Sequence, residues 1–206
     1  MVSGTEHERI VNALHRNDLV FDVFAGVGPF VVPASMLGCT VYANDLNPEC
    51  FKWMNVNLRK NQPKTSPSPY HVFNLDGRQF LRTIVLPNIA TYQPAAMIDV
   101  DNAPALPKSR IVILMNLPEL ALSFLDVFSQ WLTVKTEEKQ QWRMPIHIYC
   151  YTFSRELDRD EDVRTRLYSI VPLIRPDQIS CRWVRQVAPK KDMMCVHINL
   201  DDDVHA

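Results

Sequence analysis

The stretch Asp22-Val23-Phe24-Ala25-Gly26-Val27-Gly28-Pro29-Phe30, answered by Asp45, holds the residue types and spacing that bear most directly on chemistry. A hydrophobic run from Leu19 to Phe24 carries an acid and feeds a turn with two glycines. Glycines let a backbone approach a ligand closely, and a carboxylate at the end of the next strand can accept both hydroxyls of a ribose. The spacing is not G-x-G-x-x-G, because Phe30 and Val31 stand where that fingerprint needs its spacing and last glycine. The pattern therefore points to a nucleoside cofactor, with S-adenosylmethionine ahead of NAD. Asp76, in Leu75-Asp76-Gly77-Arg78, ends a third strand-like run and would lie near the adenine. An acid after a strand is also an ordinary helix cap, and both readings stay open for it.

A second group, Asn116-Leu117-Pro118-Glu119, follows the apolar run Ile111 to Met115. The carboxyl end of a central strand is where an acceptor meets a cofactor held over the first strand. A carboxamide there both donates to and accepts from a planar heterocycle. Pro118 fixes its own φ and stiffens the turn that aims Asn116, although proline early in a helix is ordinary too.

These groups meet only if strands end side by side, and the chain's pattern supplies such strands. Strand-like and helix-like segments alternate, which predicts a doubly wound α/β domain with a mostly parallel sheet. Thr5 to Arg16 reads as a helix capped by Ser3 or Thr5, with Ile10 and Leu14 on one face. Strands are expected at Leu19 to Phe24, Thr40 to Asn44, His71 to Leu75, Ile111 to Met115 and Ile146 to Thr152. Helices are expected at Val31 to Leu37, Pro48 to Asn61 behind an Asn47 cap, Gly77 to Leu86, Pro118 to Trp131 and Glu156 to Tyr168. Prolines 63, 67 and 69 interrupt the chain before the third strand, and Pro87 to Ser109 reads as a loop insertion. Ser180 to Val187 and Met193 to Leu200, around Pro189-Lys190-Lys191-Asp192, read as an antiparallel hairpin at a sheet edge.

The composition sets bounds. A chain of 206 residues, 47% hydrophobic, can bury a full core, and its formal charge of −1 gives no global polyanion-binding signature. The five cysteines form no C-x-x-C pair and the six histidines no metal-ligand spacing, so reduced buried thiols and no metal site are expected. The start Met1-Val2-Ser3-Gly4-Thr5-Glu6 has no apolar signal region, and no run of about 18 apolar residues occurs, so a soluble intracellular protein is expected. Arg182-Trp183-Val184-Arg185, with Lys190-Lys191, could contact phosphates or simply cover an exposed strand face. Arg155, Arg159, Arg164 and Arg166 among acids read as a solvated helix face, and Leu120, Phe124, Val127 and Phe128 as core packing.

In order, Asp22 to Phe30, Asp45-Leu46-Asn47-Pro48, Asn116-Leu117-Pro118 and Val184-Arg185-Gln186-Val187-Ala188-Pro189-Lys190 resemble the eukaryotic and archaeal tRNA (guanine-37-N1)-methyltransferases, over about Thr5 to Leu200. The resemblance implies a class I methyltransferase fold, S-adenosylmethionine as methyl donor and N1 of guanosine 37 in tRNA as acceptor. Phe24, Leu46 and Gly77 join Asp22, Gly26, Gly28, Asp45, Asp76 and Asn116 as expected cofactor contacts, with Arg185 and Lys190 toward the tRNA. Asn116 and Pro118 are then expected at the catalytic centre. The family's Thr-Glu segment matches Thr5-Glu6, which makes Glu6 the expected base for the N1 proton. Its other reading is an acid favoured in a helix's first turn, the reading given to Glu8; Glu119 is a weaker candidate base. Guanine N1 carries a proton at neutral pH and becomes nucleophilic only as a base removes it, while charge grows on O6. Family members carry tRNA-gripping domains upstream, so residues 1–206 are expected to be a catalytic domain, monomeric, cytoplasmic and possible also in nucleus and mitochondrion. Two alternatives stand beside this: aminocarboxypropyl transfer to a modified guanosine 37, as in wybutosine formation, and a non-catalytic methyltransferase-like binding module. Asn116-Leu117-Pro118 argues against the first.

Overall fold

The computed structural model of the chain describes residues 5–62, 67–91, 109–137 and 144–200. Its frame is one seven-stranded sheet in the order β3-β2-β1-β4-β5-β7-β6. Strands β1 (Leu19–Asp22), β2 (Thr40–Asn44), β3 (Tyr70–Phe73), β4 (Ile111–Met115) and β5 (Ile146–Ser154) run parallel, while β7 (Lys191–Leu200) lies antiparallel between β5 and β6 (Ile179–Ala188). The chain winds outward from β1 to β3, returns to β4 on the other side of β1, and winds outward again. The switch point is therefore the gap between β1 and β4, where this sheet type opens its ligand crevice. Both strands are wholly buried, β4 as an unbroken apolar run and β1 as the apolar run Leu19 to Phe21 closed by the acid Asp22.

Helices cover both faces. On one, α1 (Glu6–Ala13), α2 (Val31–Leu37) and α3 (Pro48–Asn61) pack Ile10, Val31, Ala34, Met54 and Leu58 over Val20, Val41, Val112, Tyr149 and Tyr151. On the other, α4 (Gly77–Phe80), α5 (Leu86–Thr91), α6 (Asp126–Glu137) and α7 (Arg159–Ile170) belong to the side of Phe21, Ile113, Ile148 and Val196, with Phe80, Phe128 and Leu167 in that core. A π stretch, Leu81–Val85, joins α4 to α5. The buried residues Leu81, Val85 and Ile89 repeat every four positions, and a widened turn keeps such a repeat on one face better than 3.6 residues per turn does.

The punctuation of the sequence sets the ends. Thr5 and Glu8 cap α1 reciprocally, Asn47 accepts from Glu49 N at 3.0 Å ahead of Pro48, and α2 stops at Gly38, whose φ is +96°. At the amino end of the sheet, buried Asp18 accepts from Arg110 Nη2 at 2.8 Å and from the backbone N of Arg110 and His15. Arg110 Nη2 also donates to Ala13 O, so one ion pair ties α1, β1 and β4.

Several expectations are corrected. The first helix ends at Ala13 rather than Arg16, with Leu14 as its cap, and the first strand ends at Asp22 rather than Phe24. β3 starts and ends earlier than read, and β5 continues to Ser154. The helix expected from Pro118 begins as a turn and a 3-10 segment, Ala121–Leu125, before α6; Leu120 is exposed in that turn rather than core. Residues 87–91 continue a helix instead of opening a loop; Ser3, Pro63 and residues 92–108 lie outside the described residues. Helix α7 starts at Arg159, three residues later than expected. The hairpin turn is only Pro189-Lys190.

Candidate active site at the carboxyl ends of the strands

Asp22 is the last residue of β1 and is fully buried. Its Oδ1 accepts from Phe24 N at 3.2 Å, while Oδ2 has no hydrogen-bond partner. Burial pushes this carboxyl up to about 7, against the bond from Phe24, with a further push from the charge of Asp45. Just beyond it, Gly26 and Gly28 adopt φ of +56° and +98°, the left-handed region that favours glycine. A Cβ on Gly26 would meet nothing within 4 Å, so this turn of the loop borders open space.

Asp45 closes the loop from β2. Its Oδ2 accepts from Gly26 N at 2.8 Å and its Oδ1 from Asn47 N at 2.9 Å, which orients the carboxylate beside the glycine turn. Leu46 next to it is exposed. Asp76 caps α4, accepting from Arg78 N and Gln79 N, so the cap reading of this residue holds. Gly77 is fixed by packing: a Cβ would lie 2.8 Å from Phe124 and 2.9 Å from Phe24, whose rings meet edge-on at 5.0 Å. Asn116 and Pro118 follow β4 and are half-buried. The sheet thus brings Asp22, Phe24, Gly26, Gly28, Asp45, Leu46, Asp76, Gly77 and Asn116 to the carboxyl ends of its first four strands.

Glu6 reaches the same end from the start of the chain. Helix α1 is fastened to the glycine loop by a hydrogen bond between His7 Nε2 and Pro29 O and by the His7 ring 4.8 Å from Phe30. Glu6 Oε1 accepts from Arg9 Nη2 at 2.5 Å and from the Tyr151 hydroxyl at 3.1 Å; Oε2 accepts from Arg9 Nε at 2.8 Å and lies 3.9 Å from Arg182 Nε. Burial raises this carboxyl, but the bonds and charge of Arg9, then Tyr151 and Arg182, outweigh it and hold Glu6 below its usual value. Tyr151 pairs with Cys195, one step past the Met115–Cys150 pair, which puts Glu6 level with Asn116. Glu8 is the reciprocal cap of α1 and nothing more among these contacts.

The basic cluster of β6 divides. Arg182 faces Glu6, whereas the Trp183 ring lies on the opposite face with its Nε1 donating to Asp192 Oδ1 at 2.9 Å. Arg185, beyond a bulge, and Lys190, with φ of +55° at the turn, are exposed and stand apart from the glycine loop. Lys191, the first residue of β7, is the one that reaches the β4 loop: it pairs with Glu119 and lies 4.0 Å over the Phe153 ring. Arg164 and Arg166 pair within α7, to Asp160 and Asp162, but Arg159 reaches across to Asp192 at 2.5 Å. Among the described residues no group of three or more His, Cys, Asp or Glu is placed to hold a metal, and no helix is long and apolar enough to cross a membrane.

Sequence reasoning missed Asn44, Tyr151 and Arg9. Buried Asn44 donates to Val23 O and Leu75 O and accepts from Leu75 N at 2.9 Å, clasping the ends of three strands beneath the glycine loop. A polar residue at the end of an otherwise apolar strand, directly before Asp45, was its signal. Tyr151 gave none, since its partner is 145 positions away.

Residues 2–90 match the TRM5/TYW2 methyltransferase domain. Curated tRNA (guanine(37)-N(1))-methyltransferases of Xenopus tropicalis and Danio rerio are 42% and 44% identical over 201 residues, covering 98% and 96% of this chain and 38% of each relative. The chain thus spans 38% of the length of these relatives. Trm5b of Pyrococcus abyssi superposes with a TM-score of 0.59 at 19% identity, over 95% of this chain and 48% of that one. M. jannaschii TYW2, solved with AdoMet, gives 0.57 at 16%, over 94% and 73%. These likenesses show the class I methyltransferase fold, and the sequence matches tie residues 2–90 of that fold to the TRM5/TYW2 methyltransferase domain.

Proposed function

We propose that this chain is a methyltransferase catalytic domain that moves a methyl group from S-adenosylmethionine to N1 of guanosine 37 in tRNA. The observation that carries this reading is convergence: Glu6, from the first helix, stands level with Asn116 beside a glycine loop closed by Asp45. Curated relatives bearing that activity in their names match almost the whole of this chain, which supports the choice of acceptor.

The residues present fit the cofactor. The unpartnered Oδ2 of Asp22 suits a cationic α-amino group, the glycine turn leaves open space, and Asp45 is oriented for ribose hydroxyls. When bound, the cofactor would supply an electrophilic methyl group whose bond to the sulfonium sulfur breaks in the transfer, the bonding pair staying on sulfur as a neutral thioether leaving group. Glu6, held ionised by Arg9 and Tyr151, accepts the N1 proton at Oε2 as the N1–H electron pair becomes the new N–C bond. Asn116 donates to and accepts from the guanine edge, with Pro118 stiffening its turn. Arg185 and Lys190 meet the tRNA backbone.

Glu6→Gln should slow single-turnover transfer by about 10²–10⁴-fold while cofactor affinity stays unchanged. An unchanged rate would contradict the role of Glu6.

A further inference from the structure

Glu6 sits at the meeting of four elements, and the groups that face it differ in rigidity. From its own helix comes Arg9, whose side chain is 31% exposed and which also donates to Cys195 Sγ at 3.6 Å and lies 5.9 Å over the Tyr149 ring. From β6 comes Arg182, 60% exposed and no nearer than 3.9 Å. From β7 comes the buried thiol of Cys195. From β5 comes Tyr151, 2% exposed, its ring built into the core under α1. Of the two groups that donate to Oε1, the arginine hangs on a long flexible chain and the phenol on a packed ring with two torsions.

We propose that Tyr151 is the positioning residue of the methyl-transfer base: its fixed hydroxyl holds Glu6 Oε1 and leaves Oε2 to receive the guanine proton. This rests on the reading of Glu6 as that base. When the proton arrives at Oε2, Oε1 becomes the carbonyl oxygen of a neutral acid and still accepts from the Tyr151 hydroxyl, so the carboxyl keeps its aim through the transfer. Arg9, by contrast, binds both oxygens and loses its charged partner at that step.

A hydrogen bond donated to a carboxylate favours its ionised form, so removing the hydroxyl should make Glu6 harder to ionise. Tyr151→Phe keeps the ring and its packing, and its melting temperature serves as the check on the fold. Two readouts apply to the 206-residue chain: the Glu6 side-chain carboxyl followed by carbon NMR through a pH titration, and the acid limb of single-turnover methyl transfer to a guanosine-37 tRNA transcript. Both should move up by about half to one pH unit in the Phe variant. A Glu6 titration that does not move would overturn the proposal, as would a titration that moves while the acid limb stays in place. A limb that stays while Glu6→Gln still abolishes transfer removes Tyr151 alone; full transfer by Glu6→Gln removes the base reading instead. A merely structural role would lower melting temperature or rate at every pH without shifting either midpoint.

Discussion

Two carboxyls of the site are set apart by their surroundings. Asp22 is buried with one oxygen unpartnered and ionises in the folded chain at about 7. An unfolded aspartate ionises near 4, so between those values the folded chain keeps a proton that the unfolded chain has lost. Stability contributed by this group is therefore full below the unfolded value and lost as pH rises through the folded one. Asp22→Asn should remove that loss, giving a flatter stability profile from about pH 4 to 7 in urea unfolding. A bound ammonium group would hold Asp22 ionised, so S-adenosylmethionine binding near pH 6 should release a proton in the wild type and none in the Asn variant, as calorimetry in buffers of different ionisation heat would read. Glu6 is shifted the other way, below its usual value, because Arg9 and Tyr151 reach it from two elements. In the proposed reading one acid binds the cofactor and the other accepts the proton, although both stand at the same edge of the sheet.

The elements carry separable jobs. Gly77→Ala forces a methyl group between the Phe24 and Phe124 rings and should cost about 1–3 kcal/mol of stability. Gly26→Ala meets no neighbour and strains only a left-handed turn, about 1 kcal/mol, yet it fills the open side of the loop; it should weaken cofactor binding more than it weakens the fold. Breaking the Asp18–Arg110 pair at the other end of the sheet with Asp18→Ala should cost about 2–4 kcal/mol and leave cofactor affinity unchanged. Chemical unfolding and binding titrations on the three variants would separate these outcomes. Elements marked by proline and glycine were legible to the residue in sequence: α2, β2, α3 and β4 begin and end where their caps and breakers put them. The start of α6 was not, since Pro118 looked like a helix start and proved to open a turn before a 3-10 segment. Nor was the π stretch, because widened turns have no residue signature.

At the scale of the whole molecule, motifs scattered over nearly 190 positions become one site because the sheet reverses between β1 and β4 and the hairpin returns beside β5. The glycine loop, Asp45 and Asn116 could be read in advance, as each follows a strand. The contacts of Glu6 could not, because they join α1 to β5 and β6 across 145 and 176 positions of chain. The period-two alternation that separates Arg182 from Trp183 was in the sequence, masked by the look of one basic cluster. The central claim is best tested by incubating the 206-residue chain with S-adenosylmethionine and either of two unmodified tRNA transcripts, guanosine or adenosine at position 37, followed by nucleoside mass spectrometry. 1-Methylguanosine should form from the first transcript alone. Methyl transfer to both transcripts, or no 1-methylguanosine from either, would contradict the claim.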